Sequence, residues 1–383
     1  MPPPNPDLSG FGTKTIRIAH LTPTFTRSNG IDRVVELLAR EQTAQGNEVS
    51  IFVLEADMKP PDKVELQVIG MPKGLLGQRV YRLILPVDIF KAVRWVPRLK
   101  GFDIIYAHQY PMTWLAFLAR KFYGVRYIYY DHGLAQTEIF PTILERFYWR
   151  MFCMASLYTA KGASGAIAIS LYLQEQLKKD TGLTGEVVYD QIDMQRLRIE
   201  GNGSLIRQKY QIGDSPLILY VGRISPSKGI HLLISAFISV KQRISNAKLL
   251  IVGRHTFPGY TAKLNSLSDS SVIFAGDISD EELSYCYAAC DIYATATLWE
   301  GFNLPLVEAQ ACGKPVVAFN LGPHPEVVRD GITGFLVPPE DTGAMAEAIG
   351  RLLGDVHLRQ EMGAEAQKWA KEKFCSTSAV GPN

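Results

Sequence analysis

Two glutamates, Glu300 and Glu308, stand eight residues apart in the segment EGFNLPLVE. The apolar run at 291–298 before them predicts a strand. Gly301, Phe302 and Asn303 then predict a tight loop, and Pro305 suits the first turn of a following helix. Backbone N–H groups and the helix dipole at such a start favour anionic or polyhydroxylated ligands. On this segment alone, two helix-favourable carboxylates near an N-terminus would explain the pattern equally well.

Two cations follow the first predicted strand of the second half, in the segment VGRISPSKG at 221–229. Arg223 offers a planar fork of donors and Lys228 offers a compact charge, and this pairing suits two phosphate groups. Two solvated loop cations are the alternative. The EGFNLPLVE segment in the same predicted sheet favours the phosphate interpretation.

Further candidates lie at other predicted strand ends. Gly222 and Gly253 follow strands of the second half, where a glycine lets a ligand approach the backbone, although an ordinary turn explains each one singly. Gly30 precedes a predicted helix in the first half and is a second candidate phosphate cradle. His132 follows the apolar strand at 125–130, and a lone histidine there is often only structural.

Strands and helices alternate through most of the chain, which favours an α/β class with doubly wound parallel sheets. The alternation breaks down at about 190–215, where polar and glycine-rich sequence predicts a linker. The 383 residues therefore divide into two predicted domains, 1–195 and 196–383. Two doubly wound domains facing one another across a cleft are the expected architecture.

Composition and motif absences exclude several classes of protein. The chain is 47% hydrophobic and 20% charged with a net charge of +2, so it has a globular composition with no sign of nucleic-acid binding. The five cysteines have neither metal nor disulfide spacing, which predicts a reduced cytoplasmic setting. No stretch reaches the about 18 apolar residues of a membrane span, and 1–13 lacks a signal-peptide core. Dinucleotide, P-loop and hydrolase fingerprints are absent, as is Asp-x-Asp, the usual carboxylate pair for a bridging metal ion.

From about residue 15 to about 372 the chain resembles the retaining GT-B glycosyltransferases of family 4, the glycosyltransferase group 1 type. The E-x7-E pair Glu300 and Glu308 is the most specific part of the likeness. The segments GRISPSKG, ACGKPVVA and GPHPEVVRDGITGFLV at 222–229, 311–318 and 322–337 add to it. The resemblance implies two Rossmann-like domains facing across a cleft, with an acceptor side in the first and a nucleotide-sugar site in the second.

The resemblance also implies roles for individual residues. Arg223 and Lys228 would bind the donor diphosphate, and Glu308 would hold the ribose hydroxyls. Glu300 and the backbone from Gly301 to Leu304, through Phe302 and Asn303, would hold the transferred sugar. His132 would lie near the reacting face of the sugar, and Gly30 would approach the phosphates. Catalysis would need no metal and no cofactor beyond the nucleotide-sugar donor.

The sequence departs from the family pattern at several places. The common Gly-Gly of the first loop is Asn29-Gly30, and the frequent G-F-G is Gly301-Phe302-Asn303, where Asn tolerates a positive φ. The usual acid-containing turn is Gly253-Arg254-His255. Family members normally continue past residue 375 with a helix that returns to the first domain, whereas this chain ends at 383 in FCSTSAVGPN. Coupling of the domains through such a tail is therefore open.

Two segments, 73–100 and 146–161, combine basic residues with apolar and aromatic ones, including Trp95 in the first. An amphipathic helix of this kind suits an anionic membrane face, although a solvated helix over an ordinary core has the same pattern. The membrane interpretation would make a lipid-linked or nascent surface glycan the acceptor and place the protein peripherally on the cytoplasmic membrane face.

The sequence therefore predicts a metal-independent retaining enzyme that moves a hexose from a UDP- or GDP-linked donor to a glycan or glycolipid acceptor. Two alternatives stay open. One is a catalytically silent glycosyltransferase-like subunit that binds nucleotide, and the other is a GT-B nucleotide-sugar epimerase.

Overall fold

The computed structural model describes residues 15–27, 29–134, 136–137, 142–197 and 202–375. The chain divides into two compact units, Met1–Asp190 and Gln191–Asn383. Each unit contains its own parallel β-sheet flanked by helices, so the α/β class predicted from the sequence is confirmed.

Unit 1 contains a seven-stranded sheet whose strands pair in parallel in the order β5-β3-β1-β6-β7-β8-β9. Its strands are β1 (Arg17–Leu21), β2 (Thr24–Phe25), β3 (Glu48–Val53), β4 (Glu55–Ala56), β5 (Glu65–Val68), β6 (Ile104–Ala107), β7 (Arg126–Asp131), β8 (Gly165–Ala168) and β9 (Glu186–Val187). Its helices are α1 (Gly30–Ala44), α2 (Leu75–Ile84), α3 (Ile89–Leu99), α4 (Met112–Tyr123), α5 (Ile143–Lys161) and α6 (Leu171–Thr181). The short strands β2 and β4 form a separate pair.

Unit 2 contains a six-stranded parallel sheet in the order β12-β11-β10-β13-β14-β15. Its strands are β10 (Leu217–Val221), β11 (Lys248–Val252), β12 (Val272–Gly276), β13 (Ile292–Thr295), β14 (Val316–Phe319) and β15 (Gly334–Val337). Its helices are α7 (Met194–Leu197), α8 (Gly203–Lys209), α9 (Ile230–Lys241), α10 (Pro258–Leu267), α11 (Asp280–Ala289), α12 (Leu304–Ala311), α13 (His324–Val327), α14 (Thr342–Gly354) and α15 (Val356–Phe374).

The first strand of each sheet lies inside the sheet, with later strands added on both sides of it. In unit 1, β1 pairs with β3 on one side and β6 on the other, and in unit 2, β10 pairs with β11 and β13. The direction of winding therefore reverses beside β1 and beside β10. Crevices outside the carboxyl ends of strands at such reversals are where open α/β sheets bind ligands.

Helices cover the sheets, so the central strands are buried along most of their length. Strand β6 is buried at all four positions, and β13 and β14 are too. In unit 2 the apolar faces of α9 and α14 pack with β10 and β11 into one core cluster. This double-sided burial explains why these strands have continuously apolar sequences.

The segment predicted as an interdomain linker, about 190–215, is not one. It contains α7 and α8, and Arg207 on α8 binds the carboxylate of Asp291 at 3.1 Å and the carbonyl oxygen of Ala289 at 3.1 Å. The division between the units falls after Asp190, five residues before the predicted boundary. The reason is that Ile192 already pairs with Cys375, its N–H donating to the carbonyl of Phe374 at 2.8 Å. The expected return of the tail to the first domain concerns 376–383, which lie outside the described residues.

Candidate functional site

An ion pair between Lys228 and Glu300 lies where two neighbouring strands of unit 2 end. Lys228 closes a short 3₁₀ turn at Pro226–Lys228 after β10, and Glu300 follows β13. The Lys228 ammonium contacts a carboxylate oxygen of Glu300, and the two side chains are 15% and 13% exposed. Two of the residues predicted to serve the donor are therefore in direct contact with each other.

The loops that carry this pair are fixed to one another by the backbone. The N–H of Leu298 donates to the carbonyl oxygen of Ser227 at 2.9 Å, and the Thr297 hydroxyl donates to the same oxygen at 3.2 Å. Gly229 follows Lys228 with φ +59°, and a Cβ there would overlap the carbonyl oxygen of Ala296. Only glycine allows this close approach, so Gly229 sets the position of the lysine relative to β13.

Glu308, the second glutamate of the pair, is 4% exposed and has protein partners at both carboxylate oxygens. One oxygen forms an ion pair with Arg196 on α7, and the other accepts a hydrogen bond from the Tyr287 hydroxyl at 2.8 Å. Arg196 also binds Asp280 at 3.2 Å. These neighbours hold a buried carboxylate in one orientation on the second turn of α12.

The loop between the two glutamates contains a left-handed residue of a type that tolerates this backbone. Asn303 has φ +81°, and its side-chain amide lies 3.0 Å from Nε2 of His324. Nδ1 of His324 lies 2.7 Å from the carbonyl oxygen of Phe319, so Nδ1–H donates there and Nε2 accepts from Asn303. The ring of Phe302 is buried and packs edge to face on Phe374, 5.6 Å between centroids. The loop therefore presents backbone rather than the phenyl ring.

The glycines at the strand ends pack against each other. A Cβ at Gly253, which has φ +144°, would overlap the carbonyl oxygen of Gly222. The N–H of Gly222 donates to the carbonyl of Val252 at 2.9 Å, which continues the β10–β11 pairing beyond the strands. Arg223 follows with its side chain exposed. These glycines therefore have a packing reason that is independent of any ligand.

Two of the predicted residues, Gly30 and His132, lie in unit 1. Gly30 is the first residue of α1, and Asp32 in the first turn of that helix accepts hydrogen bonds from the preceding Thr24 and Thr26. Burial raises the pKa of Asp32 to about 6 despite these bonds. His132 directly follows β7, is 7% exposed, and lies 2.9 Å from His108 through Nε2.

Sequence reasoning missed several residues that position the site. Arg196 and Tyr287 are far from Glu308 in the sequence, and nothing in their local pattern indicates the contact. His324 lies in the segment GPHPEV, which is part of the family resemblance, but its hydrogen bond to Asn303 forms only in the folded chain. His20 and His108 lie at strands β1 and β6, and their position at neighbouring strands was the available signal.

The described residues contain neither a metal-binding cluster nor a membrane-spanning helix. No group of three or more His, Cys, Asp or Glu side chains there is arranged to hold a metal ion. Over the same part of the chain, no helix combines the length and apolarity needed to cross a membrane. The five cysteines, all of them described, are free thiols.

Each of the two units matches a protein-family model. The model described as "Glycosyl transferases group 1" matches residues 204–369, and the "Glycosyltransferase Family 4" model matches residues 28–196. The chain belongs to the glycosyltransferase group 1 family. Its two Rossmann-like domains are those of the GT-B fold, so the fold predicted from the sequence resemblance is confirmed.

Individual glycosyltransferases are also similar to this chain in sequence. A GDP-mannose-dependent alpha-(1-6)-phosphatidylinositol monomannoside mannosyltransferase of Mycolicibacterium smegmatis is 33% identical over 178 residues, 44% of this chain and 47% of that protein. The match thus spans about half the length of that relative. A D-inositol 3-phosphate glycosyltransferase of Actinosynnema mirum is 27% identical over 371 residues, 88% of this chain and 87% of that protein.

A solved structure shows the same fold over nearly the whole chain. Anabaena HepE, determined in complex with UDP and glucose, has a TM-score of 0.78 and 22% identity. The alignment covers 95% of this chain and 97% of HepE.

Proposed function

We propose that this protein is a retaining glycosyltransferase that moves a hexose from a nucleotide-diphosphate sugar to a glycan or glycolipid acceptor without a metal ion. The observation that carries the proposal is the Lys228–Glu300 pair at the carboxyl ends of β10 and β13. The bond that would break joins a phosphate to a sugar. A cation can bind the phosphate, and a carboxylate can accept hydrogen bonds from the sugar hydroxyls.

The leaving diphosphate would be stabilised by protein cations. Lys228 is partly buried, so its charge acts at lower dielectric than in water, and Arg223 adds an exposed guanidinium on the same loop. Preorganised charges of this kind stabilise negative charge that develops in the transition state. In this proposal they take the place of the divalent ion that many diphosphate-binding enzymes use.

Retention would follow from attack on the same face as the leaving group. The bond between the anomeric carbon and the phosphate oxygen breaks, and the acceptor oxygen forms its bond on that face. The proton of the acceptor hydroxyl passes to the departing phosphate oxygen. Glu300 would hold sugar hydroxyls in this mechanism, and His132 would lie near the reacting face.

The remaining predicted residues would contact the donor. Glu308, already oriented by Arg196 and Tyr287, would accept hydrogen bonds from the ribose hydroxyls through its remaining lone pairs. The other proposed donor contacts use mainly the backbone and come from Gly30, Gly222, Gly253, Gly301, Phe302, Asn303 and Leu304.

The proposed donor is a UDP- or GDP-hexose. HepE was solved with UDP and glucose, and the M. smegmatis relative is named as GDP-mannose-dependent, so both bases occur among proteins similar to this chain. The name of the M. smegmatis relative also includes a lipid, phosphatidylinositol monomannoside. They support the class of donor and acceptor proposed here.

We further propose that unit 1 contacts the cytoplasmic face of a membrane. On α3 and the turn before it, Val87, Ile89, Phe90 and Val93 are between 69% and 91% exposed. The basic residues of α3 are Lys91, Arg94 and Arg98. Exposed apolar side chains beside cations are what an anionic membrane surface binds.

Helix α5 also exposes apolar side chains. Ile143, Leu144 and Phe147 are 86%, 78% and 61% exposed, and an ion pair of 3.6 Å between Arg79 and Glu145 connects α2 with α5. Trp95, which the sequence grouped with the membrane-facing residues, is instead buried and packs edge to face on Phe52. It lies on the core side of α3.

The first experiment measures donor turnover and donor binding in the same variants. Lys228→Ala should lower turnover of the preferred labelled nucleotide sugar by about a hundredfold or more, in the range seen when one such group is removed. Its melting temperature should stay near that of the wild type. Lys241→Ala is the matched control, because Lys241 forms an ion pair with Asp269 on the surface of the same unit.

A thermal-shift panel of UDP, GDP, ADP and their hexose conjugates identifies the base, since a ligand that binds only the folded state raises the melting temperature. Full activity in Lys228→Ala would contradict the assignment of the site. Binding of a nucleotide without turnover of any conjugate would favour the silent-subunit alternative, and interconversion of the free nucleotide sugars would favour the epimerase. Loss of activity in EDTA, restored by Mg²⁺ or Mn²⁺, would refute the metal-free mechanism.

The membrane contact is tested by sedimentation with vesicles of phosphatidylcholine alone or mixed with phosphatidylglycerol. The double variant Ile89→Ser, Phe90→Ser should lose binding to the anionic vesicles. Ile238→Ser, at a 45% exposed position of unit 2, should bind as the wild type does. Equal binding of all three proteins, or none by the wild type, would contradict the contact.

A further inference from the structure

Four buried side chains of unit 1 form a continuous hydrogen-bonded chain. Gln42 Oε1 lies 2.7 Å from Nε2 of His20, and Nδ1 of His20 lies 2.9 Å from Nε2 of His108. Nδ1 of His108 lies 2.9 Å from Nε2 of His132. His20 is on β1, and the other two histidines follow β6 and β7, the next strands in the sheet. We refer to these four residues as the histidine chain.

The side chains of the histidine chain are buried, and its three imidazole rings are neutral. Its members are between 0% and 8% exposed. Burial lowers the pKa of His20 to about 4 and that of His132 to about 3. It also holds the pKa of His108 well below the usual value, with the neighbouring His20 and His132 adding to the effect. Each ring therefore has one N–H donor and one lone-pair acceptor at neutral pH.

Neutral rings in series can hydrogen-bond in only two ways. Every contact needs one donor and one acceptor, so all three histidines must be Nε2–H tautomers or all three must be Nδ1–H tautomers. The contact with Gln42 decides between them, because an amide oxygen can only accept. His20 then donates from Nε2, which makes its Nδ1 an acceptor for His108, and the same reasoning passes to His132.

The far end of the histidine chain is unoccupied by protein. Nδ1 of His132 is buried and has no hydrogen-bond partner among the described residues. A buried imidazole nitrogen without a partner costs free energy, so such a group in a native fold calls for an explanation. A ligand group that hydrogen-bonds to this nitrogen would provide the explanation. With the polarity set by Gln42, this nitrogen offers a lone pair rather than an N–H.

We propose that Gln42, His20 and His108 are positioning residues that hold His132 as the Nε2–H tautomer, so that its Nδ1 directs a lone pair at the transferred sugar. This inference rests on the proposed glycosyl transfer. A sugar hydroxyl can donate to a lone pair or accept from an N–H, so both tautomers bind the ground state. Positive charge develops on the sugar ring as its bond to phosphate breaks, and the lone pair stabilises that charge whereas an N–H opposes it.

The tautomers can be read without any substrate. Long-range ¹H–¹⁵N spectra of the histidine-labelled protein distinguish protonated from unprotonated ring nitrogens, and the spectrum of His132→Phe identifies the signals of His132 by their loss. We expect His132 to be protonated at Nε2 only. Protonation at Nδ1, or at both nitrogens at pH 7.5, would overturn the proposal whether or not the chain transfers sugar.

Kinetics then test the role of Gln42. Gln42→Met keeps the size of the side chain but removes the acceptor, and it should lower kcat by about tenfold, equivalent to about 1.4 kcal/mol, with KM for the donor little changed. Gln42→Glu restores an acceptor and should remain within about threefold of the wild type at pH 8. Gln174→Met is the matched control, because Gln174 is a half-buried glutamine of the same unit that donates to the carbonyl of Gly185.

The outcomes separate the two proposals. Loss of kcat in Gln42→Met, rescue by Gln42→Glu and a mixed or reversed His132 tautomer in Gln42→Met would support the positioning role. An unchanged tautomer and unchanged kcat in Gln42→Met would refute it while leaving glycosyl transfer intact. If the wild type transfers no sugar, the proposed function fails, and the spectra of the wild type and of Gln42→Met still decide whether Gln42 sets the tautomer.

Discussion

Several buried titratable groups of unit 1 are neutral, whereas two carboxylates of low exposure in unit 2 are paired with cations. In unit 1 the histidine chain is neutral, and burial raises the pKa of Asp131 to about 7 and that of Asp190 to about 8. In unit 2 two carboxylates of low exposure are paired with cations, Glu300 with Lys228 and Glu308 with Arg196. The buried groups named here thus differ, because those of unit 1 are neutral and those of unit 2 face an opposite charge.

In the proposed transfer, this difference would give the two units different tasks. A buried group without a counter-charge loses its charge, and what remains is the direction of its hydrogen bonds. A buried group with a counter-charge keeps its charge and can exchange its partner for a ligand. Unit 1 is thus suited to orient a neutral part of a ligand, and unit 2 to bind an anionic part.

The most disruptive test breaks the pairing in unit 2. Arg196→Met leaves the Glu308 carboxylate buried without its cation, which should lower the free energy of unfolding by about 3 kcal/mol or more. Chemical denaturation of the purified variants measures this. Adding Glu308→Gln should recover much of the loss, because the uncompensated charge is then gone.

Lys209→Met is the control for that experiment, since Lys209 pairs with Glu282 at the exposed surface. It should change stability little. Equal losses of unfolding free energy in the Arg196 and Lys209 variants would show that the stabilising effect of the Arg196–Glu308 pair does not depend on its burial.

A second test concerns the neutrality of unit 1. Asp190 keeps its proton up to about pH 8 when folded, whereas an unfolded chain loses it near pH 4. Between these values the unfolded state binds fewer protons, so this residue makes the wild type less stable as pH rises. Asp190→Asn should therefore gain stability relative to the wild type from pH 5 to pH 8, by on the order of 4 kcal/mol.

Melting temperatures over that pH range measure the effect. The exposed Asp62 provides the control, and Asp62→Asn should follow the wild type in parallel. A constant difference between Asp190→Asn and the wild type would mean that Asp190 is ionised when folded, and the contrast between the units would be weaker.

The smallest effect is expected at the loop between the two glutamates. Asn303 has a left-handed backbone, so Asn303→Ala should cost about 1 kcal/mol more than Asn303→Gly. Both variants lose the bond to His324, so their difference isolates the backbone term. Equal melting temperatures for the two would show that the loop relaxes when the side chain is lost.

Much of the fold follows from local pattern. The sequence pattern predicts a strand at 248–252, which is β11 at its observed bounds. It also predicts helices at 31–45 and 343–353, which match α1 and α14 within one residue at each end, because apolar periodicity and end signals are local properties. The segment at 190–215 was misread because α7 and α8 are short and polar. Their helical state depends on contacts such as that of Arg207 with Asp291, which no local pattern contains.

The site divides in the same way. Lys228 and Glu300 were found because each stands at a strand end with a glycine nearby. The partners of Glu308 and of Asn303 were missed because Arg196, Tyr287 and His324 meet them only in the folded chain. The histidine chain was missed for the same reason, since a single histidine after a strand says nothing about the histidines on neighbouring strands.

The contact between Lys228 and Glu300 has a consequence for product release. For the proposed reaction, any ligand that draws Lys228 to its phosphate separates the lysine from Glu300. A donor compensates for this, because its sugar hydroxyls donate to the vacated carboxylate. A nucleoside diphosphate alone offers no such hydroxyls, so the carboxylate competes with it for the lysine. The ion pair thus favours the exchange of spent nucleotide for fresh donor and limits inhibition by the product.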